Sequence, residues 1–245
     1  MQERIEQKAF SCLSEGKRVS GMLYLPSSPR GAVVFSHGFG GTGAEFRVNA
    51  AAFAREGYAS ALFDFRGGSP LSQSEGSASE MSVYSEKSDL LAVTEYMAGL
   101  GYGVPVLIGE SLGGAVSVLT AAERGDIPCM VLYFPAFCFA DDVRARFSSR
   151  RLIGEGGWID LLQAKKKYCE DAWDVDVYAA MKKCAGRVLI LHGTKDEVVP
   201  VSCSRRALGL FPQAQLLPLR GVGHRFTGFV AHCALRESLR FVTGS

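Results

Sequence analysis

Short, uninterrupted apolar runs at Ala32–Phe35, Ala59–Phe63, Val104–Ile108, Met130–Phe134, Val188–Leu191 and Gln215–Leu219 constrain the fold of this chain more than any other feature. A strand with one wet face alternates apolar and polar residues. A strand sealed on both faces does not, and continuous runs of this length are what a helix-covered parallel sheet requires. Helical patterns fill the gaps: Phe46–Glu56, closed by Gly57, then Ser82–Ala98, Leu112–Arg124, Ser202–Leu210 and Thr227–Val242. In Ser82–Ala98, the residues Leu90, Leu91, Thr94, Met97 and Ala98 fall near one face, leaving Glu86, Lys87 and Glu95 for the solvent side. Strand and helix in alternation with short links imply right-handed βαβ units, hence an α/β fold with a mostly parallel central sheet and helices on both faces.

Two alternating segments precede that pattern, Gln7–Ser14 and Lys17–Leu25, and read as a β-hairpin before a Pro-rich turn. At 245 residues and 47% hydrophobic, the chain suits a single domain over 1–245. Residues 136–186 break the rhythm. They carry no buried strand run but hold charges, glycines, Trp158 and Trp173, and are expected to form a small helical lid over one end of the sheet. Its aromatic residues, Trp158, Trp173, Tyr168 and Phe147, either form a small core of their own or line a pocket. Ser69–Ser88 reads as a Ser-rich surface loop, and Lys165-Lys166-Lys167 and Arg205-Arg206 as solvated helix faces.

Charge narrows the function classes. With 27 Lys+Arg against 25 Asp+Glu there is no electrostatic case for nucleic acid or acidic membranes as partners. The 7 cysteines are odd in number, scattered and without CxxC spacing, so neither a disulfide framework nor a metal site is indicated. The charged N-terminus lacks the apolar stretch of a signal peptide, and no apolar run approaches the ~20 residues of a membrane span. A reducing cytoplasm is the expected location.

Gly109-Glu110-Ser111-Leu112-Gly113 matches G-x-S-x-G, a pattern that chance supplies roughly 0.3 times in a chain of this composition, so its context decides. Here it joins a buried strand run, Val106-Leu107-Ile108, to the helical Leu112–Arg124. Glycines at 109 and 113 permit the sharp turn that presents Ser111 at a helix N-terminus. A serine hydroxyl needs a base, usually His held by a carboxylate. Of His37, His192, His224 and His232, His224 stands in the loop after the last strand run, where a sheet-borne site collects its base. His232 lies inside the final helix, His192 ends a strand, and His37 suits bracing its own loop. Asp196 follows the Val188–Leu191 strand as the orienting carboxylate, with Glu197 its adjacent competitor; the order Ser111, Asp196, His224 is that of strand–turn–helix hydrolases. An oxyanion needs preorganised N–H donors: Leu112, after the nucleophile, and Phe39 in Ser36-His37-Gly38-Phe39-Gly40-Gly41.

With these pieces in place the chain resembles the α/β-hydrolase superfamily. His37-Gly-Phe-Gly40, Asp64-Phe-Arg-Gly67, Gly109–Gly113, His192-Gly-Thr-Lys-Asp196 and Gly223-His224 occur in that superfamily's order. More narrowly it resembles bacterial cinnamoyl/feruloyl esterases, through His37-Gly-Phe39, Asp64-Phe65, Ser74-Glu-Gly76 and Met81-Ser-Val83, although Glu110 stands where His is common in the elbow. The resemblance implies a lid-borne Asp and Tyr that contact a phenolic hydroxyl, falling here at Asp142 and Tyr168. It also implies cofactor-free hydrolysis of small soluble esters, with hydroxycinnamate esters among the candidates. Association as a homodimer is compatible with it. Peptidase, thioesterase and acyltransferase chemistry use the same residues, as fold does not fix substrate. An aminopeptidase would need a carboxylate cluster for the substrate's amine, for which Asp141-Asp142 is one start. The remaining alternatives are a cofactor-free perhydrolase, a dehalogenase, which Ser rather than Asp at 111 disfavours, and a non-catalytic binding module.

Overall fold

The computed structural model describes residues 4–154 and 166–244. Its strands are β1 (Glu6–Ser14), β2 (Lys17–Leu25), β3 (Gly31–Ser36), β4 (Tyr58–Phe63), β5 (Val106–Glu110), β6 (Cys129–Tyr133), β7 (Arg187–Gly193) and β8 (Ala214–Leu219). They form one 8-stranded sheet in the order β1-β2-β4-β3-β5-β6-β7-β8. From β4 to β8 every neighbouring pair is parallel, while β2 pairs antiparallel with both β1 and β4.

The continuous apolar runs are explained by what covers the sheet. Helices α1 (Arg47–Arg55) and α8 (Gly228–Thr243) lie on one face, and α2 (Val83–Met97), α3 (Ser111–Arg124) and α7 (Val201–Leu208) on the other. Successive strand residues feed opposite cores: Val33 and Phe35 face α1, whereas Ala32 and Val34 face α2 and α3. Met130 and Leu132 of β6 likewise oppose Cys129, Val131 and Tyr133. The last run, β8, differs from this pattern. It is an edge strand with alternating exposure, Leu217 among its exposed residues, because only β7 flanks it.

Between β6 and β7 the described residues include α4 (Phe139–Arg146), α5 (Lys166–Ala172) and α6 (Val177–Met181). Tyr168 is buried in the core on the α2–α3 side, with Phe147 and Trp173 packed against it, so these aromatic rings extend the principal core. Trp158 and Lys165 lie outside the described residues. Lys166 and Lys167 pair with Glu170 and Asp171 along the exposed face of α5, but Arg206 is not simply solvated, since its guanidinium sits 3.7 Å over the Tyr178 ring.

Two expectations about the region after β4 need correction. Glu86 does not face solvent; it is 1% exposed, because α5 packs over that end of α2 and brings Tyr168 beside it. Burial raises its carboxyl well above the usual range. The Ser-rich segment is also not wholly a surface loop. Ser74 is buried, donating to Asp64 O at 2.5 Å and accepting from the Ser20 amide at 2.9 Å. Ser82 caps α2 by accepting from Tyr84 and Ser85 amides.

Candidate active site

From β3 the chain moves to β4 on one side and later returns to β5 on the other. This reversal opens a crevice at the carboxyl ends of β3 and β5, the place where parallel sheets collect ligands. Ser111 stands there as the first residue of α3, with φ +49°, a left-handed conformation rare for a side-chain-bearing residue. The turn is possible because of its glycines. A Cβ on Gly113 would lie 2.3 Å from Ser36 O, and one on Gly109 would lie 2.5 Å from Gly113 O. Neither space exists.

The structure brings Ser111, His224 and Asp196 into one hydrogen-bonded relay. Ser111 Oγ lies 3.1 Å from His224 Nε2, and His224 Nδ1 lies 2.8 Å from Asp196 Oδ2. Asp196 can only accept, so the neutral imidazole carries its proton on Nδ1 and leaves Nε2 to accept from the serine hydroxyl. The other carboxylate oxygen, Oδ1, accepts from the amides of Val198 and Val199 at 2.9 and 2.8 Å. Glu197, the competing carboxylate, makes none of these bonds.

His192 has a place in this arrangement as well. Its Nε2 lies 2.9 Å from Val199 O and 3.2 Å from Asp196 Oδ2. A carbonyl cannot donate, so Nε2 carries the hydrogen and Nδ1 accepts from Ser204 Oγ at 2.7 Å. Burial lowers the pKa of His192, keeping it neutral. It therefore backs the loop that presents Asp196, a role its position at a strand end did not reveal.

The loop after β3 lies against the serine: a Cβ on Gly38 would be 3.1 Å from Ser111 Cβ. His37 braces that loop as expected. Its Nδ1–H donates to Gly38 O at 2.7 Å, its Nε2 accepts from the Phe65 amide at 3.0 Å, and burial lowers its pKa. Phe39 lines the crevice beside Ser111, and its N–H has no hydrogen-bond partner among the described residues. Leu112 is the second residue of α3, so no preceding helical turn offers its N–H an acceptor.

The crevice holds a cavity of about 640 Å³ whose walls include Phe39, Tyr133, Phe134 and Phe226 together with polar groups whose role the sequence did not reveal. Chief among these are Glu45 and Glu110. The Glu110 carboxyl is pushed up to about 8 by burial and by the neighbouring Glu45 carboxyl, against the Gly38 backbone and Arg225. Both carboxyl groups line the cavity that holds the nucleophile-like serine. Glu110 was visible inside the G-x-S-x-G motif, but nothing local marks Glu45, which arrives from a short helical turn after β3. His232 is exposed on α8 at the cavity wall.

The two residues expected to touch a phenolic group are placed elsewhere. Tyr168 is 1% exposed, stacked edge-on behind Phe39 at 5.9 Å, and its hydroxyl has no partner among the described residues. Asp142 is exposed on α4 and accepts from the Cys138 thiol at 3.5 Å. Neither lines the cavity at Ser111. Asp141 bonds Arg144 at 2.7 Å and reaches Arg206 at 3.5 Å, on the surface.

A left-handed serine at a strand–helix turn, on the switch point of an eight-stranded sheet with helices on both faces, defines the α/β-hydrolase superfamily. The chain belongs to the hydrolase family described as "Serine aminopeptidase, S33", which matches residues 27–159, just over half its length. Alpha/beta hydrolase domain-containing protein 17B of Xenopus tropicalis is 26% identical over 241 residues, covering 89% of this chain and 70% of that protein. Among solved structures, ferulic acid-bound Est1E from Butyrivibrio proteoclasticus superposes with a TM-score of 0.81 at 21% identity, covering 96% of this chain and 100% of that one. The monoacylglycerol lipase of Paleococcus ferrophilus gives 0.70 at 19% identity, covering 99% and 100%. The esterase of Exiguobacterium antarcticum gives 0.72 at 19%, covering 95% and 99%. The fold is shared with these three structures, a lipase and an esterase among them.

Proposed function

We propose that this chain is a serine carboxylesterase acting on small esters through an acyl-enzyme on Ser111. The relay from Ser111 Oγ through His224 to Asp196 carries the reading, at 3.1 and 2.8 Å. His224 Nε2 takes the serine proton as Oγ attacks the ester carbonyl, and Asp196 stabilises the imidazolium that forms. The amides of Phe39 and Leu112 hold the oxyanion, a term whose loss usually costs about 2.7–4 kcal/mol per donor. His224 then protonates the leaving alkoxide, and a water activated by the same imidazole releases the acid.

Hydrolysis of p-nitrophenyl acetate and methyl ferulate by wild type and Ser111→Ala tests this directly. The variant is expected to lose about 10⁴–10⁶ in kcat. Turnover within tenfold of wild type would remove Ser111 from the chemistry. Methyl ferulate hydrolysis at kcat/KM near or above about 10⁴ M⁻¹s⁻¹ would support a hydroxycinnamate substrate.

One observation favours a second reading, a serine aminopeptidase. Asp141-Asp142 does not reach the cavity, but Glu45 and Glu110 line it beside Ser111, where their carboxyl groups could receive a substrate's α-ammonium group. Aminoacyl p-nitroanilides, compared with their N-acetylated forms, distinguish the readings. A preference for the free amine that Glu110→Gln abolishes supports the peptidase; indifference to acetylation supports the esterase.

A further inference from the structure

One hydrogen-bonded chain at the Ser111 cavity takes no part in the relay. Ser238, buried on α8, donates its hydroxyl hydrogen to Ala234 O at 2.6 Å. A hydroxyl has a single hydrogen, so Ser238 Oγ accepts that of Tyr133, whose Oη lies 2.7 Å away. With its own hydrogen spent, Tyr133 Oη can only accept from Asn49 on α1, at 3.4 Å. The group that Asn49 turns to Tyr133 is therefore Nδ2 and not Oδ1, which fixes its side-chain amide in one of two orientations.

Both buried hydroxyl hydrogens are placed without Asn49, so the interior does not need the amide as an acceptor. Asn49 is half-buried and lines the cavity, and its Oδ1 bonds nothing among the described residues. Arg225, Thr227 and His232 also border the cavity, but all three are exposed. At an exposed side chain a bond to substrate largely replaces one to water. Asn49 is the part-shielded and oriented partner.

Three ring contacts place it relative to the base. Phe134 packs on the His224 ring at 4.7 Å, Phe226 stands edge-on to Phe134 at 4.8 Å, and Tyr133 meets Phe226 at 5.7 Å. An apolar wall thus runs from His224 to Asn49. In ester hydrolysis His224 gives its proton to the leaving oxygen, so the alcohol portion of the substrate lies on this side.

We propose that Asn49 is a specificity-determining residue of the leaving-alcohol subsite. The substrates it selects are esters whose alcohol has an apolar body, lying along Phe134 and Phe226, and a second hydroxyl at its far end for the Asn49 carboxamide. Tyr133 is the positioning residue that holds this amide. The inference rests on the esterase reading above and deepens it.

The test compares acetate monoesters of α,ω-diols of increasing length with n-alkyl acetates of equal length. Wild type is expected to prefer one diol ester over its alkyl counterpart by about tenfold in kcat/KM, the worth of one hydrogen bond. Asn49→Leu and Tyr133→Phe should each bring that ratio towards one, with the loss appearing in KM. Ligand-detected NMR of the same ester pairs on Ser111→Ala reads the preference as binding, so it decides the subsite even if turnover proves independent of Ser111. Retention of the binding preference in Ser111→Ala, and its disappearance when Asn49→Leu is added, supports the proposal. No preferred diol at any length, or a preference that survives Asn49→Leu, would overturn it.

Discussion

Glu110 sits between strand β5 and the serine, and its environment makes it a pH-sensitive part of the fold. Its carboxyl rises from an ordinary 4.5 to about 8 because burial and the Glu45 carboxyl both favour the neutral form. An acid whose folded value is raised binds more protons folded than unfolded between those two limits. Its contribution to stability is therefore complete below about pH 4.5 and is lost as pH rises through about 8. The slope from one such proton approaches about 1.4 kcal/mol per pH unit. Glu110→Gln keeps a neutral hydrogen-bonding side chain and removes the titration. Urea unfolding from pH 5 to pH 8 should show the variant gaining on wild type as pH rises. Parallel curves would mean that Glu110 is solvated in the folded protein. This pairing was half legible: the motif displayed Glu110, but its partner is brought in by a turn 65 residues earlier, and only the parallel β3–β5 contact joins them.

At the scale of elements, the segment after β4 is held by one buried cation. Arg66 is 6% exposed and its Nε donates to Asp89 Oδ1 at 2.5 Å, while the Arg66 amide donates to Asp89 Oδ2 at 2.9 Å. The Arg66 Nη2 reaches Ser14 and Glu15 at 3.2 and 2.7 Å, so this guanidinium joins α2 to the end of β1. Removing Asp89 strips the buried Arg66 of its buried counter-ion and its amide of an acceptor, with the exposed Glu15 its remaining ion pair, at up to about 3–5 kcal/mol. Asp89→Ala is expected to cost that much, whereas Arg66→Met with Asp89→Leu should cost less than Asp89→Ala alone. Chemical denaturation of the three proteins checks the order. A double variant no better than Asp89→Ala would assign the cost to the lost Arg66 amide bond. The sequence announced α2 through its apolar spacing but misassigned Glu86, since amphipathic period reports only the faces a helix offers. What later packs on the polar face, here α5 with Tyr168, comes from far along the chain.

For the whole molecule, the sequence was most readable where a residue's burial is set by its own strand. The central runs gave the parallel sheet because each is sealed on both faces, and Ser111, Asp196 and His224 were legible because each follows a strand end. β8 was less so, for an edge strand's exposure depends on the absence of a neighbour. The antiparallel entry of β2 beside β4 likewise depends on which edge the leading hairpin selects. Sealing both faces has a thermodynamic consequence. Val34 and Phe35 are adjacent in β3, yet they belong to opposite cores, so neither core can melt without exposing strands that the other needs. Phe53, fully buried on α1 and edge-on to Phe35 at 5.8 Å, reports one face; Leu90, fully buried on α2, reports the other. Phe53→Ala and Leu90→Ala should each cost about 2–5 kcal/mol through lost burial and a residual cavity. Each should lower one common transition, by about 10 °C for a chain of this size. Differential scanning calorimetry is the measurement, with the calorimetric and van't Hoff enthalpies expected to agree in all three proteins. If Phe53→Ala split the endotherm and left the upper part at the wild-type temperature, the faces would be separate folding units. The shared sheet would then not be what couples them.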